Sequence, residues 1–209
     1  MAQAWDPSHV SATIVLSGAN LVATSNAAAT ATVYAATPVT TGRYYWEVLV
    51  SGAVANIAAG IGNVNSPTTG GSWQGLDATS LGWWTSGVFS GGANVGTWAT
   101  FVSGNVLAFA LDLISGRIWG RVGAAGNWNN AAIGSQNPAV GSQVGGLVIP
   151  VGVTAAAVVP GANLAAVSDV ATGRFGAASW VGTPPVGFQD VDQVYAQAWR
   201  RPAVSFFGR

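Results

Sequence analysis

The sequence predicts an all-β sandwich, and three observations carry that reading. Its apolar residues fall in short alternating runs. The runs are separated by turn residues, which a total of 29 glycines and 9 prolines among 209 residues supplies in quantity. No stretch before Asp190 keeps a helical period.

The elements follow in order. Residues 13–16 and 21–24 flank Ser17-Gly18-Ala19-Asn20, a hairpin turn, and 32–35 is a third short strand. The clearest strand is 44–50. Alternation puts Tyr44, Trp46, Val48 and Val50 on one face and Tyr45, Glu47 and Leu49 on the other. Residues 57–61 follow between Gly52 and Gly62. Residues 63–78 read as a long loop holding Trp73, 81–85 and 88–90 as a hairpin, and 91–96 as a glycine-rich loop. A second strong strand, 106–113, turns at Ser115-Gly116 into 117–121. A third long loop spans 122–146, and residues 147–159 and 164–175 supply the late strands. Residues 145–167 carry no charge, but Pro150, Pro160 and several glycines interrupt them, so strands are expected there rather than a membrane span.

Charge sets the second set of limits. Asp, Glu, Lys and Arg make up 7% of the chain, against about 25% in ordinary globular domains. There is no lysine; seven arginines balance seven acids for a net charge of zero. No basic stripe exists to neutralise phosphates, so a nucleic-acid partner is not expected. A neutral surface of Ser, Thr, Asn, Gln, Gly and Ala suits a protein packed against copies of itself or other subunits. A compositional drift toward Ala, Gly and Val explains the same numbers equally well. Cysteine is absent and histidine occurs once, at His9, a surface residue on this reading, so neither a disulfide framework nor a His/Cys metal site is expected. The N-terminal residues show no signal-peptide pattern.

Two units are expected: a sandwich over residues 1–189 and a C-terminal docking tail over 190–209. Val191, Val194, Tyr195 and Ala198 have helical spacing there. Tyr195, Trp199, Arg200, Arg201, Phe206 and Phe207 are its candidate anchoring residues, and residues 1–10 are a further candidate anchor.

The strand motifs resemble those of SPRY domains. Gly42-Arg43-Tyr44-Tyr45-Trp46-Glu47-Val48 looks like the family's turn and aromatic-aromatic-Glu-Val strand. Gly60-Ile61-Gly62, Leu81-Gly82-Trp83-Trp84 and Ala110-Leu111-Asp112-Leu113 through Gly116-Arg117-Ile118-Trp119 resemble the strands that follow. Gly126-Asn127-Trp128-Asn129, with Asn137-Pro138-Ala139-Val140-Gly141, resembles a variant found in bacteriophage and prophage proteins. Phe175-Gly176 and Pro184-Pro185-Val186-Gly187-Phe188 resemble the closing element. The match spans most of residues 10–189. Ile114 and Gly120 depart from it: a polar residue is common at the first position and an aromatic at the second. The resemblance implies a bent, two-sheet antiparallel β-sandwich with loops at one end and recognition without catalysis. In its phage form it implies a virion structural protein of a tail, tail fibre or baseplate, with other virion proteins, copies of itself or a host-surface glycan or protein as partners. A head decoration protein is the alternative, and a polysaccharide depolymerase a third reading.

Ten tryptophans are the chain's distinctive feature. Trp46 and Trp119 lie within strands and are expected in the core. Trp83 and Trp84 are adjacent, so one faces inward and the other outward. Trp73, Trp98 and Trp128 lie in or beside long loops. With Trp84, Asn127 and Asn129 they are the candidate partner-binding residues, because loop aromatics beside amides suit sugar stacking or burial at an interface. The competing reading, which we prefer, has these tryptophans plugging the ends of the sandwich and the asparagines bonding their own loop. Glu47 is expected as a buried structural partner of Arg43, Arg121 or a backbone group, and Asp112 as a turn-capping carboxylate. Only Asp77 stands near a loop tryptophan as a loose second carboxylate for a glycosidase. No cofactor, metal or catalytic residue is expected.

Overall fold

The structure, a computed structural model, describes residues 3–69 and 71–192. Its strands in chain order are β1 (Trp5–Val10), β2 (Ile14–Ser17), β3 (Val22–Ser25), β4 (Ala31–Ala35), β5 (Arg43–Ser51), β6 (Ile57–Asn63), β7 (Ser80–Trp84), β8 (Gly87–Ser90), β9 (Ala93–Gly96), β10 (Val106–Asp112), β11 (Arg117–Val122), β12 (Leu147–Val148), β13 (Val158–Leu164), β14 (Val170–Arg174) and β15 (Gln189–Asp190). A one-turn helix, α1 (Val151–Thr154), precedes β13. The first sheet runs β1-β4-β13-β6-β7-β8-β9 and the second β12-β11-β10-β5-β14-β3-β2. Every pairing is antiparallel except that of β15, which lies parallel to the start of β5. The expected all-β sandwich is the fold observed.

Period-2 alternation decides the two faces of each sheet. In the first sheet, register aligns Ile57, Ala59 and Ile61 of β6 with Leu164, Ala162 and Pro160 of β13, and Ala59 and Ile61 with Trp83 and Leu81 of β7. In the second, Trp46 of β5 pairs Phe109 of β10, which pairs Gly120 of β11. These inward rows meet in one core that buries Trp46, Trp83, Phe109, Ile57, Ile61 and Leu81 completely. Trp46 stacks on Phe109 at 5.1 Å with the planes only 10° apart, and Trp83 meets Phe109 edge-on at 5.8 Å.

The outward row of the second sheet is also covered. Tyr45, Ala108, Ala110, Trp119, Trp128 and Phe188 form a second, smaller apolar cluster, with Trp180 packed against it. The chain of residues 123–146 and 175–188 folds over this face. Glu47, in the same row, is fully buried. It accepts hydrogen bonds from the Tyr45 hydroxyl (2.7 Å) and from the backbone N–H groups of Gly182 (2.8 Å) and Val181 (2.9 Å). Of the partners expected for Glu47, backbone groups are the ones found.

The turn after β10 is fixed by Asp112. Its Oδ1 accepts from the N–H groups of Ile114 (2.8 Å) and Ser115 (3.1 Å), and its Oδ2 from Arg43 Nε and Gln143 Nε2, both at 2.9 Å. Burial pushes the Asp112 carboxyl up, but the bonds from Gln143, Ser115 and Arg43 together outweigh it and hold the group below the usual carboxylate range. A depressed folded-state pKa stabilises the fold above the unfolded value, about 3.9, and that contribution is lost as pH falls through the folded value. Asp112→Asn is therefore expected to destabilise by roughly 1–3 kcal/mol at neutral pH. The gap from wild type should narrow steadily below about pH 4. Thermal melts between pH 7 and pH 3 check it; a gap that stays constant contradicts it.

Three expectations are corrected. Residues 147–159 are not one strand. Pro150, with φ −58°, leads into the single helical turn of α1, and regular pairing resumes only at Val158. Pro160 sits inside β13 because it is paired there with β6 alone; pairing with β4 begins one residue later, at Gly161. Residues 164–175 likewise hold only β14 beyond the last residue of β13. Residues 5–10 are part of the sandwich: β1 is an edge strand with an irregular register around Pro7, and Trp5 is completely buried. His9 is half-buried, its ring 4.6 Å from that of Tyr34 and its Nε2 2.8 Å from the Ser66 carbonyl.

The sandwich extends past residue 189. Gln189 and Asp190 pair with Tyr44 and Tyr45, and Val191 is buried in the core. At the other end the Gln3 side chain clasps Thr37, donating to its carbonyl (3.1 Å) and accepting from its N–H (2.8 Å). The Gln3 backbone N–H donates to Asp192 Oδ1. The candidate anchoring residues Tyr195, Trp199, Arg200, Arg201, Phe206 and Phe207 lie outside the described residues.

Candidate functional site

The outer face of the first sheet carries the site. Glycines fill its centre: Gly161, Gly60 and Gly82 pair in one row across β13, β6 and β7. The loop segment around Gln74 lies on this row. A Cβ on Gly161 would stand 2.5 Å from the Gln74 amide, and one on Gly82 would stand 2.1 Å from the Gln74 carbonyl. Only glycine lets the loop backbone come so close. Gln74 is buried, yet neither of its side-chain amide atoms has a partner among the described residues. The loop is therefore held by other contacts. Trp84 Nε1 donates to the Gln74 carbonyl at 2.9 Å. The Trp73 ring meets those of Trp84 and Phe89 edge-on, at 5.5 and 5.7 Å.

Beyond the loop the face opens into a cleft of about 390 Å³. Trp73, Trp84 and Phe89 wall it, all half-buried. Thr30, Asn56, Ser86 and Ala165 complete the lining. Register brings these small residues together, since they lie one outward position beyond the row that contains Asn163 and Ala58. Among the described residues no ionisable side chain lines the cleft. Three aromatic surfaces beside two hydroxyls and an amide suit an uncharged, partly apolar ligand and offer no general acid or base.

The sequence candidates divide accordingly. Trp73 and Trp84 meet in the cleft, and Trp83, the inward member of the Trp83-Trp84 pair, is core. Trp98 is only 4% exposed and belongs to the central core. Its ring is 5.1 Å from that of Trp83, in space that Gly120 leaves empty, so it presents no surface to a partner. Trp128 is 7% exposed and packs in the second cluster, with the Arg121 guanidinium 4.5 Å from its ring centre. Asn129 is committed to its own loop: Oδ1 accepts from Gly120 N–H (2.9 Å) and Nδ2 donates to Gln136 (2.8 Å). Asn127 is exposed, on the opposite face of the molecule from the cleft. The three long loops therefore do not converge. Residues 71–79 lie on one sheet and 123–146 on the other, while Trp98 lies in the passage from β9 to β10.

The carboxylates are equally dispersed. Asp77 Oδ1 accepts from Thr79 N–H (2.8 Å) and from the Thr79 hydroxyl within its own loop, and Glu47 lies under the other face. They do not flank one cleft, as paired glycosidase carboxylates must. Thr30, Asn56, Ser86 and Ala165 escape a reading of the sequence, because small neutral residues scattered over the chain give no signal until strand register assembles them.

Comparison with known proteins defines the class. No protein-family model matches the sequence, and no curated protein matches it. Among solved structures, the SPRY domain of human HERC1 superposes with a TM-score of 0.59 at 12% identity, covering 81% of this chain and 96% of that one. The TRIM65 PSpry domain gives 0.56 at 16% identity, covering 83% and 89%. The stonustoxin structure gives 0.53 at 17% identity, covering 83% of this chain but 27% of the toxin chain. The fold is that of SPRY domains. The motifs that resemble the family fall on its central strands: the Tyr44-Tyr45-Trp46-Glu47-Val48 segment is in β5, Gly60-Ile61-Gly62 lies in β6, Leu81-Gly82-Trp83-Trp84 in β7, and the segment from Ala110 to Trp119 spans β10 and β11.

Proposed function

We propose that this chain is a non-catalytic protein-binding module whose contact site is the Trp73–Trp84–Phe89 cleft. The observation that carries the reading is the cleft itself: half-buried tryptophans at the centre of an uncharged lining are what hot spots of protein interfaces are made of. The SPRY fold supports it. We propose further that the module works in a bacteriophage virion, in a tail, fibre or baseplate. Two features support that setting: the resemblance of residues 126–129 and 137–141 to the phage variant, and a surface nearly free of charge, suited to permanent packing among subunits. Many identical copies would give avidity to weak single contacts. A host glycan is the second reading, favoured by the hydroxyls of Thr30 and Ser86 and the Asn56 amide beside the tryptophan rings.

A photo-crosslinking residue at exposed Ser86, in assembled particles and on host cells, tests both. Crosslinking to a virion protein supports assembly, and crosslinking to a host-surface protein supports adhesion. Capture of polysaccharide alone supports the second reading and overturns the first. Trp84→Ala is expected to weaken binding of the captured partner at least roughly 30-fold, the effect of a hot-spot residue worth about 2 kcal/mol. Unchanged affinity would remove the cleft from the interface. Copies per particle, counted by mass spectrometry, separate the tail from a head decoration role.

A further inference from the structure

The opposite face of the molecule holds a second cavity, of about 180 Å³, beneath the loop of residues 123–136. It is unlike the cleft because a cation lines it. Arg121, on the outward row of β11, is 9% exposed. Its Nη2 donates to the Thr183 carbonyl at 2.7 Å and, at 3.4 Å, to the Tyr45 hydroxyl. Its Nε is fully buried and has no acceptor among the described residues. Among the described residues no carboxylate oxygen lies within 4.0 Å of the guanidinium; the salt bridge found is that of Arg43 with Asp112. Glu47, the neighbouring acid, is linked to it through the Tyr45 hydroxyl and spends both oxygens on Tyr45, Val181 and Gly182. The Trp128 ring supports the guanidinium. Asn127 and Gln136 also line the cavity, exposed Ala125 stands at it, and Ile133, 69% exposed, gives its rim an apolar surface.

A guanidinium that lines a cavity with no carboxylate beside it is completed best by an anionic acceptor, because its charge is otherwise costly to bury. We infer that this cavity takes the carboxylate of an Asp or Glu side chain from a partner protein, with Arg121 as its ligand. Size agrees with that class: ligand pockets usually measure about 300–1,000 Å³, so this smaller one has room for an acidic side chain but not for a nucleotide. Ile133 would cover the methylene stem of that side chain. The site lies on the opposite face from the Trp73–Trp84 cleft and does not rest on the function proposed for it.

The test reads the side-chain Nε–H NMR resonance of Arg121 in the full chain, assigned by its loss in Arg121→Lys. N-acetyl-glutamate α-amide is expected to shift it saturably, with a dissociation constant on the order of millimolar. N-acetyl-glutamine α-amide and sodium chloride at matched ionic strength should leave it in place. Acetate should bind about tenfold more weakly, because the buried stem methylenes are missing. Ala125→Trp, which fills the cavity from an exposed position, should abolish the response, whereas Trp84→Ala should not alter it. No shift at about 50 mM glutamate derivative, an equal shift with the glutamine derivative or chloride, or an undiminished response in Ala125→Trp would overturn the site. Acetate binding as tightly as the glutamate derivative would overturn its assignment to a partner's side chain.

Discussion

Glu47→Ala is expected to destabilise the protein by about 4 kcal/mol, as three hydrogen bonds to one buried carboxylate, each worth roughly 1.5–3 kcal/mol and not fully additive, are lost. The substitution strands the N–H groups of Val181 and Gly182 against the sheet and removes the acceptor of the Tyr45 hydroxyl. That hydroxyl does not compensate by ionising: in the native protein burial, ahead of Glu47, raises it far above the ordinary phenol range, and burial persists once Glu47 is removed. For a chain of this size about 4 kcal/mol corresponds to a fall of roughly 8–16 °C in Tm. Glu47→Gln keeps one acceptor oxygen and should cost about half as much. Tyr45→Phe, which leaves both backbone donors paired, should cost about 1 kcal/mol. Urea titration ranks the three variants, and hydrogen exchange at the Val181 and Gly182 amides locates the damage. A Glu47→Ala loss under about 1 kcal/mol would mean that water replaces the carboxylate without penalty.

The second large effect lies in the core. A Cβ at Gly120 would stand 2.3 Å from the Trp98 ring and 3.1 Å from that of Trp83, so Gly120→Ala must move two packed indoles. It is expected to cost about 2–3 kcal/mol by overpacking. Trp98→Ala alone, which empties a site 4% exposed, should cost about 3–5 kcal/mol. The two effects must oppose each other. Once Trp98 is alanine, the added methyl enters a void, and Gly120→Ala becomes neutral or stabilising. A double-mutant cycle should therefore return a coupling of about 2 kcal/mol or more. Additive losses would show that the glycine does not make room for the tryptophan.

That pair also shows what the sequence reveals and what it hides. The alternation of residues 44–50 identifies β5, its inward Trp46 and its outward Tyr45 and Glu47, because the period of a strand is written in consecutive residues. Gly120 reads in the sequence as a lost aromatic. The structure shows that the aromatic arrives from elsewhere. Trp98 lies in the segment connecting β9 to β10, outside any strand, and its ring occupies the space that Gly120 leaves. No spacing in the chain announces that pairing, because one partner comes from a strand and the other from a connection with no period of its own.

The misread elements have similar causes. β1 contains Pro7 and an irregular register, and α1 lies in a Val- and Ala-rich run with no alternation to interrupt. The candidate site is half legible. Trp84 follows from its adjacency to Trp83, and Trp73 from its place in a loop. Their meeting depends on the glycine row that seats the segment around Gln74, and Thr30, Asn56, Ser86 and Ala165 depend on register across four separate segments. Arg121 gives no sign of its cavity, because burial of a strand arginine is decided by the loop folded over it.

The contact between Gln3 and Asp192 has a mechanical consequence. The two ends of the described chain meet at one corner of the sandwich, so tension applied between them does not run through the body of the fold. It falls first on that contact and on the Gln3–Thr37 clasp beside it, and only then on β1 and β15, whose Trp5 and neighbouring Val191 are seated in the core. Held at Gln3 and Asp192, the domain hangs from one corner like a pendant, and a pull that would cross a domain gripped at opposite poles enters this one at its edge.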